Sequence, residues 1–252
     1  MEEYKKRFAL ALAETKALFF GNDLVLKDGR PTPYFINMGM FRTGRLSLEL
    51  GSVFAGMMQS NGILKNTDII LGPSYKGSSI ALATAISLWK DYGVDFLYEY
   101  DRKEAKTHGE ASISKSMFVN GSLFDGCRIF VVDDVATSMS TKYDILDKIA
   151  AEAANRNIKC FVNGLGIGID RQQTTAVNNH TGKLLLDKKG RNAIRDFVLN
   201  RQVPVFSVAG IREILDYLYQ ERIPVTIEGE STPINKKIMV QAYEYFKLYG
   251  TD

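Results

Sequence analysis

The chain of 252 residues has two cysteines, Cys127 and Cys160, two histidines, His108 and His180, and a single tryptophan. Two cysteines cannot build a disulfide framework or a cysteine-rich zinc site. They fit a reducing compartment, where a buried thiol acts as a small hydrophobe. With no second histidine near it in sequence, His108 is a poor candidate for a metal ligand. Charge of one sign is not in excess either. The net charge is +3 at pH 7, too mild to announce a nucleic-acid binder. Long hydrophobic runs are missing too: the uncharged stretch 77–89 is too short to span a bilayer and carries several hydroxyls. The first twenty residues mix acids and bases, and Glu14 and Lys16 interrupt their apolar stretch, so they lack a signal-peptide core. A cytoplasmic protein with no nucleic-acid and no membrane partner is expected. What remains, 45% hydrophobic and 24% charged residues, is ordinary for a folded globular chain. The length is enough to bury a full core.

Apolar spacing predicts a helix over 4–20, two short strands around a Gly/Pro turn in 24–39, and a helix over 45–60. Strands at 68–72, 95–100, 127–134, 159–170 and 203–208 then alternate with helices at 78–92, 141–156 and 210–220, and the tail ends in a helix over 235–249. Such alternation predicts βαβ units, hence a mostly parallel central sheet covered by helices on both faces. The polar stretch 171–201 gives no clear pattern. Residues 101–116 form a long polar connection between two strands, a length typical of lids, binding loops or disorder.

Three segments carry candidate chemistry. In IFVVDDVATSMSTK an apolar strand ends in Asp133-Asp134, and a turn rich in small hydroxyl residues leads into a helix. Ligands in open parallel sheets bind beyond the carboxyl ends of strands, and a helix N-terminus offers free N–H groups and positive potential to a phosphate. Two carboxylates beside that nest suit a vicinal diol, so the pattern describes a ribose 5-phosphate site. The same residues also read as an ordinary strand end with a Ser/Thr helix cap. In ILGPSYKG a strand ends in a Gly-rich turn where Lys76 can meet an anion or remain a solvated lysine. RKEAKTHGE places Arg102, Lys103, Lys106 and His108 within seven residues. A solvated charge run and a lid over a polyanion both account for it.

VVDDVATSMST resembles the phosphoribosyl-pyrophosphate signature of the type I phosphoribosyltransferases. LKDGRPTPYFINMGMFRTGR, GPSYKG, RKEAKTHGE and IDRQ, in that order from about residue 20 to 220, resemble the orotate phosphoribosyltransferase family specifically. The resemblance implies one phosphoribosyltransferase domain over 1–252. Its hood subregion would come mainly from 1–45 and C-terminal segments, and its mobile lid from 101–116. It implies transfer of the phosphoribosyl group to orotate, giving orotidine 5′-monophosphate and pyrophosphate in pyrimidine biosynthesis, with Mg²⁺ held mainly through substrate and water. A fused decarboxylase is not expected at this length. By position, Asp133, Asp134, Val135, Ala136, Thr137, Ser138, Met139, Ser140 and Thr141 would hold the ribose 5-phosphate. Lys27, Tyr75, Lys76, Arg102, Lys103, Lys106 and His108 would also meet phosphoribosyl pyrophosphate. Lys106, His108, Asp133 and Asp134 are the catalytic candidates. Lys27, Phe35, Ile36, Thr137 and Arg171 would frame orotate, Arg171 facing its carboxylate. The lid, notably Lys103, would reach the neighbouring site of a homodimer, and the Ser74–Tyr75 peptide would be cis.

Three features depart from the family pattern. Met139 stands where glycine is usual: a side chain pointing outward with φ negative would be tolerated, and otherwise affinity for phosphoribosyl pyrophosphate is expected to suffer. Ile36 stands where a second aromatic is common. The segment 180–201 is longer and more basic than the pattern. Two other readings compete: a phosphoribosyltransferase for another base, and a non-catalytic sensor of phosphoribosyl pyrophosphate, which Met139 favours.

Overall fold

The computed structural model describes residues 1–104, 116–136 and 138–251. Helix α1 (Glu3–Glu14) is shorter than the spacing predicts. Thr15 Oγ1 donates back to the Ala11 carbonyl at 2.7 Å, Lys16 turns left-handed at φ 58°, and Leu18 and Phe19 pass into strand β1 (Leu18–Phe20). The apolar residues there follow a period of two, with Leu18 and Phe20 buried, so the helical reading fails at its C-terminal third. Strand β2 (Tyr34–Ile36) pairs antiparallel with β1. Of the two strands expected in 24–39, the first is reduced to a bridge between Val25 and Pro31. The chain turns there at Gly29, whose φ of +87° suits glycine.

Helix α2 (Gly44–Ser60) is capped by Thr43, whose hydroxyl accepts from Leu46 N–H. The alternating pattern then appears as expected: β3 (Ile69–Gly72), α3 (Lys76–Tyr92), β4 (Leu97–Tyr100), β5 (Cys127–Val135), α4 (Ser140–Arg156) and β6 (Cys160–Asp170). Helix α5 (Ala193–Arg201), capped by Asn192, lies in the stretch that gave no pattern. Strand β7 (Val205–Gly210) and helix α6 (Ile211–Gln220) follow. The hairpin β8 (Pro224–Ile227) and β9 (Glu230–Pro233), which the sequence reading lacks, precedes α7 (Lys236–Tyr249).

Five strands form a sheet in the order β4-β3-β5-β6-β7, every pair parallel. A smaller sheet runs β2-β1-β8-β9 and joins the two ends of the chain. The central strands divide the core in two. Ile70, Phe130, Val132, Ile169 and Val208 pack with residues of α1, α2, α3, α6 and α7. Ile69, Leu71, Ile129, Val131, Leu165 and Ile167 pack with residues of α4 and α5. Cys127 and Cys160 face each other across β5 and β6 as free thiols, with Sγ atoms 3.5 Å apart. Among the described residues no helix is long and apolar enough to cross a membrane.

Candidate active site

The carboxyl ends of β3, β5 and β6 open into a cavity of about 870 Å³. At one end lies the corner between β5 and α4. Asp133 is buried, and its Oδ2 accepts from Lys142 Nζ at 2.6 Å. That ammonium also donates to the Val135 carbonyl at 3.0 Å. Burial pushes the Asp133 carboxyl above its ordinary range; Lys142 opposes the rise and the Asp134 carboxylate adds to it. Asp134 Oδ2 accepts from Lys76 Nζ at 3.0 Å, in a more exposed pair. The hydroxyls of Ser138 and Ser140 lie 3.1 Å apart at the start of α4. Ser138, Ser140 and Thr141 line the cavity there, and among the described residues no side chain caps the helix.

Met139 overturns both conditions expected of it. Its φ is +63°, and its side chain is 1% exposed, packed in the core among Ile129, Val131, Ile145 and Ile149. The turn takes the left-handed backbone that a glycine would supply, at a cost of about 1–2 kcal/mol for an L-residue. Burying the thioether offsets that cost by about 2 kcal/mol. The side chain leaves on the side away from the cavity. Ala136 is likewise buried beneath the turn.

The turn from β3 to α3 forms the second wall. Gly72 is required there, because a Cβ would run into the Gly77 carbonyl. The Ser74–Tyr75 peptide is cis, as the resemblance implies. Ser74 N–H donates to Asp101 Oδ1 at 2.6 Å, and Asp101 also pairs with Lys148. These contacts tie the turn to the start of the expected lid. Asp101 bridges to Phe118, and Arg102 N–H donates to the Met117 carbonyl at 2.6 Å, so the two ends of that segment lie side by side. Buried Glu99 fixes its exit, accepting from the N–H groups of Val119, Asn120 and Ser122. Arg102 and Lys103 are not in the cavity wall; Lys103 Nζ sits 5.6 Å from the centre of the exposed Tyr75 ring. Lys106, His108 and Thr137 lie outside the described residues.

At the other end Lys27, Phe35, Ile36 and Arg171 line the cavity together. Arg171, just beyond β6, is buried, and its Nε and Nη2 have no hydrogen-bond partner. Its guanidinium lies 5.2 Å from the Tyr34 ring centre. A buried guanidinium in a cavity wall with two donors unpaired has the fork geometry that matches a planar carboxylate. Ile36 is part of the cavity wall and also packs into the core, where the family pattern has an aromatic.

Among the lining residues that sequence reasoning missed, two are buried cations. Lys142 sits in the first turn of α4, where the helix field disfavours a cation, and that is the available signal. Arg30 reads in the sequence as one more residue of a Gly/Pro turn. It is 2% exposed and pairs with Asp28 at 2.7 Å. Burial works against the Asp28 carboxylate, but bonds from Arg30 and the charge of Arg171 hold it below the ordinary range.

No family model matches the chain. Among curated proteins, orotate phosphoribosyltransferase of Bifidobacterium adolescentis is 32% identical over 249 residues, covering 97% of this chain and 96% of the relative. That of Bifidobacterium longum is 33% identical, covering 99% of both. The chain belongs to the orotate phosphoribosyltransferase family. The fold agrees with that membership. A crystal structure of the Francisella tularensis orotate phosphoribosyltransferase matches with a TM-score of 0.70 at 24% identity, covering 97% of this chain and 98% of that one. The Aeropyrum pernix protein of the same name matches at 0.57 and 22% identity, covering 84% of this chain and 97% of that one. The family's fold therefore extends over this chain nearly end to end, including the α5 region where the sequence pattern is silent.

Proposed function

We propose that this chain is an orotate phosphoribosyltransferase: orotate N1 displaces pyrophosphate from C1 of phosphoribosyl pyrophosphate, giving orotidine 5′-monophosphate. One observation carries the reading. A single cavity has a buried guanidinium with free donors at one end, and two strand-end carboxylates beside an open helix N-terminus at the other. A molecule with a carboxylate at one end and a phosphorylated sugar at the other fits both. The reading of the chain as one catalytic unit is supported by residues from 26 to 176 lining one cavity and by the small sheet that joins its N- and C-terminal segments.

The backbone N–H groups at the start of α4 and the hydroxyls of Ser138, Ser140 and Thr141 take the 5-phosphate. Asp133 and Asp134 accept from the ribose hydroxyls. When a hydroxyl claims Asp134, Lys76 is released toward the pyrophosphate. There, with the lid cations Lys103, Lys106 and His108, it meets negative charge that grows as the bond to C1 breaks. Interactions that strengthen during that step lower the barrier more than they tighten the ground state. No carboxylate acts as a nucleophile, so no covalent intermediate forms.

Among the described residues no three His, Cys, Asp or Glu side chains stand together to cage a metal. The two hard oxygen donors of Asp133 and Asp134 suit Mg²⁺ carried in on the substrate and contacted through water. Bound there, Mg²⁺ supplies charge neutralisation of the leaving pyrophosphate. The free thiols fit a cytoplasmic location.

A homodimer completes the reading. Leu82, Ile86 and Trp89 form an exposed apolar stripe at helical spacing on α3, and Leu97 is exposed on the edge strand β4 beside it. Trp89→Glu is expected to convert a dimer to monomers in sedimentation velocity at micromolar concentration. A wild-type chain already monomeric there removes the stripe as an interface.

The sensor reading rests on Met139. With its side chain in the core, that support is gone. Met139→Gly should relieve the backbone strain yet lose about 1–3 kcal/mol of stability overall, because a buried side chain is deleted. Its KM for phosphoribosyl pyrophosphate should stay within about 2-fold, since glycine adopts the same left-handed backbone and leaves the turn's path unchanged. Chemical denaturation and steady-state kinetics read both. A large gain in substrate affinity would mean that the thioether does obstruct the site.

The deciding assay follows loss of orotate absorbance with phosphoribosyl pyrophosphate and Mg²⁺, with uracil, hypoxanthine and adenine as competitors. Turnover of orotate is expected. Preference for a purine, or binding without turnover, overturns the proposal.

A further inference from the structure

Among the described residues, seven buried side-chain nitrogen and oxygen atoms lack a hydrogen-bond partner. Four of the seven gather at one corner: Arg30 Nη1, the Tyr34 hydroxyl, and Arg171 Nε and Nη2. Buried donors left unpaired are unfavourable, and a concentration of them in a free protein marks a place where a ligand supplies the acceptors. Arg171 is accounted for by the proposed function. Arg30 is not.

Asp28 fixes the Arg30 guanidinium from one edge. Its Oδ2 accepts from Nε at 3.1 Å and from Nη2 at 2.7 Å, while its Oδ1 accepts from the Arg30 backbone N–H at 3.2 Å. The fork is held on one side, and Nη1 on the other is left without a protein acceptor. Aromatic rings hold the remaining faces. The Arg30 guanidinium lies 5.3 Å from the Tyr249 ring centre and that of Arg171 lies 5.2 Å from Tyr34. Tyr34 and Tyr249 each pack against Tyr245, at 5.9 and 5.3 Å. Two arginines thus stand on one aromatic stack, both lining the cavity. With Asp28 counted, the two guanidiniums carry one net positive charge, the complement of one carboxylate.

We propose that Arg30 is the second arm of a two-arginine clamp, its Nη1 donating to an oxygen of the carboxylate-bearing ring that Arg171 engages, so that Arg30 helps select an anionic base over a neutral one. The inference rests on the reading that orotate is the base. Asp28 is then a positioning residue: it touches no substrate but sets the direction of the Arg30 fork.

The test compares wild type with Arg30→Gln and Arg30→Lys. Orotate KM, phosphoribosyl pyrophosphate KM and kcat are measured. So is the Kd, by titration calorimetry, of orotidine and uridine 5′-monophosphates, which differ only by the carboxylate. Arg30→Gln should raise orotate KM by roughly 10- to 100-fold, the range of one charge-assisted hydrogen bond. The pyrophosphate-bearing substrate should keep its KM within about 3-fold, and the preference for orotidine over uridine monophosphate should fall by a similar factor to the orotate effect. Arg30→Lys keeps the charge but loses the fork, and should recover part of the preference. A merely structural role would weaken both nucleotides alike, and an unchanged nucleotide ratio in either variant overturns the inference. Where Arg30→Gln does not fold, the ratio in Arg30→Lys decides. Wild-type protein that turns over no orotate would instead bring down the underlying reading, a separate outcome visible before any variant is made.

Discussion

Lys142→Met is expected to lower the unfolding free energy by about 3–5 kcal/mol at neutral pH, the usual consequence of leaving one member of a buried ion pair without its partner. Asp133 and Lys142 are both nearly inaccessible, and the second bond from Lys142, to the Val135 carbonyl, disappears as well. The loss should depend on pH with a definite sign. The Asp133 carboxyl already sits above its ordinary range through burial, and removing Lys142 takes away what opposed the rise. A carboxyl whose folded-state pKa exceeds its unfolded value favours the folded state below the unfolded pKa. That contribution is lost as pH rises through the folded pKa. The stability gap between variant and wild type should therefore narrow as pH falls from 8 toward 5. Urea melts at both ends of that range measure it. A gap that stays constant would mean that Asp133 remains ionised without Lys142, and that the pair is not the hinge of the corner.

Arg171→Ala should raise orotate KM by roughly 100-fold or more, since two charge-assisted bonds are lost at about 1.5–3 kcal/mol each. The KM for phosphoribosyl pyrophosphate should hardly move. Arg171 buries two donors without acceptors, so their removal offsets part of the packing lost with the side chain and with its stack on Tyr34, and the ligand-free protein should lose much less stability than substrate binding does. That combination, a large loss of substrate binding with a small loss of stability, is the signature of a residue held ready for a ligand. Orotate kinetics within about 3-fold of wild type would sink the assignment of the carboxylate end, whatever the melting curve shows.

Most of the central sheet was legible because its strands are short apolar runs between clear helices. What failed did so for physical reasons. Leu18 and Phe19 fit a helical stripe and a strand equally well, and only the left-handed turn at Lys16 separates them. The β8 and β9 hairpin is too short and polar to show alternation, and β9 is exposed throughout. Helix α5 has a weak apolar face, with only Ala193 and Phe197 buried. At the site, the strand-end carboxylates and the Gly-rich turn carry local signals. Lys142 carries only the faint signal of a cation in a helix's first turn, and Arg30 carries none, since the cavity both line forms only when distant segments meet. Met139 shows the converse: the family resemblance flags the departure from glycine, but only the packing shows where the thioether goes.

The packing behind the two ends of the cavity falls largely in different core layers. Tyr34, Ile36, Tyr245 and Tyr249 belong to the packing of one face, and Ala136 and Met139 to that of the other. On the proposed function, a change in the first layer is expected to alter which heterocycle is accepted, and a change in the second to alter the hold on the sugar phosphate. On that reading a lineage could retune recognition of the nucleobase by drift in its own layer while inheriting recognition of the donor.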